Sequence, residues 1–89
     1  MALATIYTTR SCPYCMRAKQ LLLAEGITFK EISIDNDPVQ RQEMMQKSGR
    51  HTVPQIWLGQ THIGGCDDLY ALANTGRLPH LQQQAPNNK

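Results

Sequence analysis

Residues 4–15 read ATIYTTRSCPYC, so a short run of β-branched and aromatic residues is followed within a few positions by two cysteines. The run Ala4–Thr8 has the composition of a β-strand. Pro13 suits the first position of a helix, because the N–H group that proline lacks would have no intrahelical partner there. The segment therefore predicts a strand, a loop and a helix whose N-terminus lies at Cys12.

The rest of the chain continues this alternation of strands and helices. Apolar residues recur at helical spacing from Tyr14 to Glu25, and Gly26 is a natural helix stop. The further predicted elements are a strand at 27–34, a helix from Pro38 to about Ser48, strands at 53–58 and 61–64, and a helix that Asp67 or Asp68 caps and Gly76 ends. The order β-α-β-α-β-β-α predicts an α/β protein of thioredoxin-like architecture. Its mixed four-stranded sheet has helices on both faces and a right-handed crossover between the first two strands.

Length and composition limit the function classes. The chain has 89 residues, of which 40% are apolar and 18% charged, as expected of a single globular domain. The net charge of +2 is too small to favour nucleic acid or an anionic membrane as a partner. The sequence contains neither a membrane-spanning apolar run nor a signal peptide, so we expect a cytoplasmic protein. We predict a domain at 1–81 and a disordered tail at 82–89, which is polar and carries no periodicity.

The cysteine pattern indicates reactive chemistry. There are three cysteines, and Cys12 and Cys15 are separated by only two residues. A secreted disulfide scaffold usually has an even number, whereas this spacing in a reducing compartment is typical of a redox pair or a metal site. One alternative is a pair of ordinary buried cysteines. Another is a zinc site formed by Cys12, Cys15, Cys66 and either His51 or His62. The chain has no second C-x-x-C, which argues against zinc, and we expect no metal.

The predicted positions of the two cysteines assign them different roles. Free N–H groups and the helix dipole stabilise a thiolate at a helix N-terminus, so Cys12 is predicted to be the attacking thiolate. Arg10, two residues upstream, could add a positive charge nearby. Cys15 lies about one turn further on, within reach of Cys12 and more buried. It is therefore predicted to be the resolving thiol, which attacks once a mixed disulfide has formed on Cys12.

Three motifs in family-like order and spacing give the chain a resemblance to a known family. They are Cys12-Pro13-Tyr14-Cys15, Thr52-Val53-Pro54 and Gly64-Gly65-Cys66-Asp67-Asp68. Together they make the chain resemble a glutaredoxin of the short bacterial dithiol class, over essentially its whole length to about Leu81. The resemblance implies a monomeric enzyme that uses glutathione to reduce protein disulfides and glutathionylated protein thiols. Ribonucleotide reductase is one candidate protein substrate.

The resemblance also implies which residues hold glutathione. Val53-Pro54 would be a cis bond, and the backbone of Val53 would pair with the cysteine part of the ligand. Gly64 and Gly65 would let the backbone approach a ligand carboxylate, and Asp67 would pair with the ligand ammonium. Cys66 would be a small buried neighbour or a backbone donor rather than a catalytic residue. The substrate-binding residues implied in this way are Arg10, Tyr14, Thr52, Val53, Pro54, Gly65, Cys66 and Asp67.

One departure from the family pattern and two competing functions remain. Thr9 occupies a position where the family often has lysine, and Arg10 could supply the missing charge to the glycyl carboxylate of glutathione or to the thiolate. A related redoxin could take its electrons from a thioredoxin reductase instead, although it would need no pocket at Gly65–Asp67. A dimer could also hold an iron–sulfur cluster through Cys12 and glutathione. Pro13 argues against a cluster, because cluster-binding relatives usually have a smaller residue there.

Overall fold

The computed structural model describes residues 3–76, and these residues form four strands and three helices. In chain order the elements are β1 (Ala4–Thr8), α1 (Pro13–Ala24), β2 (Phe29–Ser33), α2 (Pro38–Ser48), β3 (Gln55–Leu58), β4 (Thr61–Gly64) and α3 (Cys66–Asn74). The predicted order β-α-β-α-β-β-α is confirmed. The predicted domain end at residue 81 and the predicted tail at 82–89 lie outside the described residues.

The four strands form one mixed sheet in the order β2-β1-β3-β4. β1 pairs in parallel with β2 and antiparallel with β3, and β3 pairs antiparallel with β4. β1 is therefore central, which explains why Ala4, Ile6, Tyr7 and Thr8 are all buried. The sheet confirms the predicted architecture and brings the C-terminal end of β1, where the two cysteines follow, beside the start of β3.

One hydrophobic cluster lies between the sheet and helices α1 and α3. Its buried members are Ala4, Ile6, Ala18, Leu22, Ile27, Ile56, Leu58, Cys66 and Leu69. Burial of each large aliphatic side chain is worth about 1.5–3 kcal/mol relative to leaving it in water. Because Ala18 and Leu22 belong to α1 and Cys66 and Leu69 to α3, this cluster fixes the two helices that begin beside the cysteine pair.

A second cluster covers the opposite face of the sheet beneath α2. Tyr7, Ile34 and Met44 are its buried members, and Ile32, Met45, Val53 and Trp57 pack against it. Helix α2 has the predicted cap, since Asp37 Oδ1 accepts a hydrogen bond from the Gln40 amide at 3.1 Å. Gly49 ends the helix in the left-handed conformation, with φ of 72°. Helices thus lie on both faces of the sheet, as predicted.

The structure corrects several element boundaries. β2 spans Phe29–Ser33 rather than 27–34, and β3 begins at Gln55 rather than at residue 53. The latter shift follows from Pro54, which has no N–H to contribute to a strand ladder. The prediction that Asp67 or Asp68 is the N-cap of the third helix is wrong, since Gly65 occupies that position. Asp68 still caps this end, because it lies one turn into the helix and its Oδ2 accepts the Gly65 amide at 2.9 Å.

Candidate active site

Cys12 and Cys15 lie at the start of α1, where the sequence predicts them. Cys12 is the N-cap residue, and its sulfur accepts a hydrogen bond from the Cys15 amide at 3.1 Å. The Cys12 thiol also points at the carbonyl oxygen of Val53, 3.8 Å away. Cys12 is 9% exposed and Cys15 only 1%, and both are free thiols. The outer sulfur is therefore the one that an incoming disulfide reaches first.

The inner cysteine holds its proton firmly. Burial raises the pKa of Cys15 to about 12, and the hydrogen bond with the Cys12 side chain acts in the same direction. Burial also raises the pKa of Cys66. A neutral, buried thiol next to a more accessible sulfur is the arrangement that a resolving cysteine requires.

This difference predicts selective alkylation of the reduced protein. A thiol with a pKa of about 12 has roughly one thiolate in 10⁵ molecules at pH 7. With iodoacetamide at that pH, we expect Cys15 to react at least about a hundredfold more slowly than Cys12. The rate at Cys15 should then rise about tenfold per pH unit until its pKa is approached. Site-resolved mass spectrometry measures both rates. The denatured protein is the control, because all of its cysteines should react at the same rate. Equal rates at Cys12 and Cys15 in the folded protein at pH 7 would contradict the assignment of Cys15 as a protonated resolving thiol.

A cleft of about 220 Å³ lies beside the cysteine pair. The residues that line it are Tyr14, Arg50, Thr52, Val53, Pro54, Gly65, Cys66, Asp67 and Asp68. The Val53–Pro54 peptide bond on one wall is cis, as the resemblance implies. The structure thus brings together all of the predicted binding residues except Arg10, on segments that are far apart in the sequence.

Arg10 lies elsewhere. Its backbone amide donates to Asp35 Oδ2 at 2.8 Å, and its Nε lies 3.9 Å from the same oxygen. The Arg10 side chain is 87% exposed and does not line the cleft. Neither Arg10 nor its partner Asp35, in the loop after β2, is part of the cleft lining.

Arg50 and Asp68 also line the cleft and join its two walls, although neither is among the binding residues predicted from the sequence. Arg50 Nη1 donates to Asp68 Oδ2 at 3.1 Å, and this oxygen also accepts the Gly65 amide. These contacts, the Gly65 hydrogen bond foremost, lower the pKa of Asp68 and keep it ionised. Gly64 completes the corner, because it has φ of 121° and a Cβ there would collide with the Asp68 carboxylate.

The charged groups around the cleft suit a ligand that has both positive and negative charges. Arg50 and the N-terminus of α3 offer positive charge and N–H donors to a carboxylate. Asp67, exposed in the first turn of α3, offers a carboxylate to an ammonium group. Tyr14 and Pro54 add aromatic and apolar surface to the lining of the same cleft. The cleft can therefore bind a small zwitterionic molecule next to a thiol.

Two other types of site are absent from residues 3–76. No group of three or more His, Cys, Asp or Glu side chains in that range is placed to hold a metal ion. No helix in that range combines the length and the apolar character needed to cross a bilayer.

Comparison with known proteins gives consistent matches. A family model described as glutaredoxin matches residues 4–63. A protein of Pseudomonas aeruginosa named glutaredoxin is 58% identical over 76 residues, which is 85% of this chain and 90% of that protein. The solution structure of glutaredoxin from Brucella melitensis is 52% identical with a TM-score of 0.79, and the match covers 89% of this chain and 86% of that one. The crystal structure of a buckwheat glutaredoxin–glutathione complex is 27% identical with a TM-score of 0.85, covering 93% and 78%.

Proposed function

The chain belongs to the glutaredoxin family of thiol–disulfide oxidoreductases, and from this premise we propose that it uses glutathione to reduce protein disulfides and glutathionylated protein thiols. The observation that supports the proposal most directly is the cleft beside Cys12. Its lining combines the Thr52–Pro54 wall, a cation, a carboxylate and a helix N-terminus. Glutathione has two carboxylates, an ammonium group and a thiol, and this lining offers a partner to each.

The proposed reaction is a sequence of thiol–disulfide exchanges. The Cys12 thiolate attacks one sulfur of a protein disulfide, and the other sulfur leaves as a thiolate that takes up a proton. Cys15 then attacks the sulfur of Cys12, releases the second protein thiol and closes a Cys12–Cys15 disulfide. One glutathione opens this disulfide and remains bound to Cys12. A second glutathione attacks that adduct, and two electrons have then passed from two glutathiones to one protein disulfide.

A glutathionylated protein needs only part of this cycle. Cys12 attacks the glutathione sulfur of the mixed disulfide, and the protein leaves as a free thiol. A free glutathione then removes the glutathione from Cys12 and leaves as glutathione disulfide. Cys15 takes no part in this branch.

In the proposed complex, glutathione lies along the wall that contains the cis bond. The backbone of Val53 pairs with the cysteine part of glutathione, which places the ligand sulfur next to Cys12. Asp67 pairs with the ammonium group, and the amides at the start of α3 bind the neighbouring carboxylate. Arg50 takes the carboxylate role that the sequence analysis assigns to Arg10, because Arg50 lines the cleft and Arg10 does not.

The proposed function is tested by the choice of electron donor. We expect the wild-type protein to reduce a glutathionylated peptide when glutathione, glutathione reductase and NADPH are supplied. We expect a much lower rate when thioredoxin reductase and NADPH replace them. The opposite preference, in a protein whose fold is intact, would overturn the proposal in favour of a redoxin driven by thioredoxin reductase.

The two arginines provide a matched test of the ligand-binding site. We expect Arg50→Gln to raise the KM for the glutathionylated peptide about fivefold, because a charge-assisted hydrogen bond at a partly exposed site is lost. Arg10→Gln makes the same chemical change outside the cleft and should leave the KM at the wild-type value. Steady-state kinetics of both variants gives the two KM values to be compared. If Arg10→Gln raised the KM more than Arg50→Gln, the carboxylate of the ligand would have to be assigned to Arg10 instead of Arg50.

A further inference from the structure

Gln55, the residue directly after the cis proline, is polar but completely buried. Its exposure is 0%, the same as that of the apolar Ile56 and Leu58 in the same strand. An amide that is buried without partners is costly, so its hydrogen bonds show what the side chain does. Gln55 Nε2 donates to the Thr52 carbonyl oxygen at 3.1 Å and to Thr52 Oγ1 at 3.3 Å. Gln55 Oε1 lies 2.9 Å from His62 Nε2.

Donor and acceptor chemistry fixes the direction of these hydrogen bonds. A carbonyl oxygen can only accept, so the nitrogen of the Gln55 amide must face Thr52. The Gln55 oxygen then faces His62, and His62 Nε2 must carry a proton. Burial lowers the pKa of His62, and the positive charge of Arg50 adds to this effect. His62 is therefore neutral near pH 7, as the tautomer protonated on Nε2.

The far end of this chain of hydrogen bonds is anchored on the sheet. His62 lies opposite Trp57 in the β3–β4 pair, and their rings are 4.7 Å apart. Trp57 in turn packs edge-on against Tyr7 of the central strand, at 5.4 Å. The imidazole that orients Gln55 therefore belongs to a strand and packs against the Trp57 ring, which Tyr7 supports in turn.

The other end of this chain of hydrogen bonds, at Thr52, lies in the candidate active site. Thr52 lines the cleft, and the next residue, Val53, presents the carbonyl oxygen that faces the Cys12 thiol. Thr52 itself is exposed and precedes β3, so the strand ladder does not hold it. Its two hydrogen bonds from Gln55 span the Val53–Pro54 bond and tie this wall of the cleft to the interior of the sheet.

We propose that Gln55, oriented by His62, is a positioning residue that holds the Thr52–Pro54 wall in place for the substrate of Cys12. The inference rests on the proposed function, in which a glutathionyl group lies along this wall. Gln55 does not line the cleft, so its effect passes through Thr52. It should therefore change the affinity of the enzyme for a glutathionylated substrate more than the rate of the exchange step.

Gln55→Met tests this inference with little change in side-chain size. Methionine has no N–H to donate to the Thr52 carbonyl, so the hydrogen bonds that hold Thr52 are lost. We expect the KM for a glutathionylated peptide to rise about fivefold, equivalent to the loss of one hydrogen bond, while kcat per folded molecule stays within about twofold. Gln60→Met, the same substitution in the exposed β3–β4 turn, should keep the wild-type KM. A purely structural role of Gln55 would lower the Tm and the fraction of active protein without changing KM, and that result would overturn the proposal.

A second variant and a spectroscopic measurement cover the remaining outcomes. His62→Phe keeps a ring against Trp57 but removes the donor to Gln55, and it should raise KM in the same direction. Nitrogen-15 NMR of the wild-type imidazoles needs no enzymatic activity and should show His62 protonated on Nε2. Protonation on Nδ1 alone would overturn the inferred direction of the hydrogen bonds. An inactive wild-type protein in the glutathione assay would instead refute the proposed function, so the two failures are distinguishable.

Discussion

Replacing Cys12 with serine is expected to abolish the reduction of both protein disulfides and glutathionylated peptides. Both branches of the proposed reaction begin with attack by the Cys12 sulfur, and a serine hydroxyl does not attack a disulfide at neutral pH. The rate should fall by at least about 10³-fold, to the uncatalysed background. The glutathione-coupled assay measures this directly. The fold should persist, because serine can also serve as an N-cap and accept the Cys15 amide.

Cys66→Ser is the matched control for the loss of Cys12. Cys66 is the third cysteine, is 7% exposed and lines the same cleft, but the proposed cycle does not use its sulfur. We expect this variant to retain most of the wild-type activity, with a modest loss of stability because a buried thiol is replaced by a hydroxyl. Residual activity in Cys12→Ser that disappears when Cys66 is also replaced would show that the nucleophile has been assigned to the wrong sulfur.

Cys15→Ser is expected to separate the two activities. Reduction of a protein disulfide needs a second thiol to release the substrate from Cys12, and Cys15 is 1% exposed directly beside it. Without Cys15, this activity should fall by about a hundredfold or more, because release then depends on external glutathione. Reduction of a glutathionylated peptide should continue at a rate comparable to that of the wild type, since its adduct on Cys12 is resolved by free glutathione.

Two assays on one preparation provide the measurement for Cys15→Ser. A protein with an accessible disulfide and a glutathionylated peptide are supplied in turn, with the same glutathione-regenerating system. Trapping of a covalent complex between the variant and the disulfide protein, seen on a non-reducing gel, is an independent sign of the missing resolving step. Loss of both activities in Cys15→Ser would rule out the branch in which Cys12 acts alone.

Much of the fold could be predicted from local patterns. The strand–loop–helix segment around Cys12 and the turn at Asp37 and Pro38 are short-range signals, and the structure confirms both. The start of α3 was predicted too late, because an acidic residue is a good N-cap in most contexts. Here Asp68 lies inside the helix and reaches back to the Gly65 amide, an alternative that the sequence pattern did not distinguish.

The candidate site could be predicted where its residues fall in motifs, but not where it depends on long-range contacts. Arg10 is close to Cys12 in the sequence, yet its side chain is exposed and does not line the cleft, while its backbone amide bonds to Asp35, 25 positions further on. Arg50 lies 38 positions from Cys12 and lines the cleft only because the segment before β3 folds back toward α1. The hydrogen bond between Gln55 and His62 requires the pairing of β3 with β4, and neither residue type signals it.

Cys12 caps α1 and Cys15 lies in its first turn, and this placement has a consequence for how other molecules distinguish the two redox states. In the proposed cycle the atoms that change are the sulfurs of Cys12 and Cys15, and neither residue belongs to a strand or to either hydrophobic cluster. The surface that differs between the two redox states is therefore a small patch around Cys12, next to the exposed ring of Tyr14 and the Thr52–Pro54 wall. A partner that must discriminate the oxidised form from the reduced form has to make contact there.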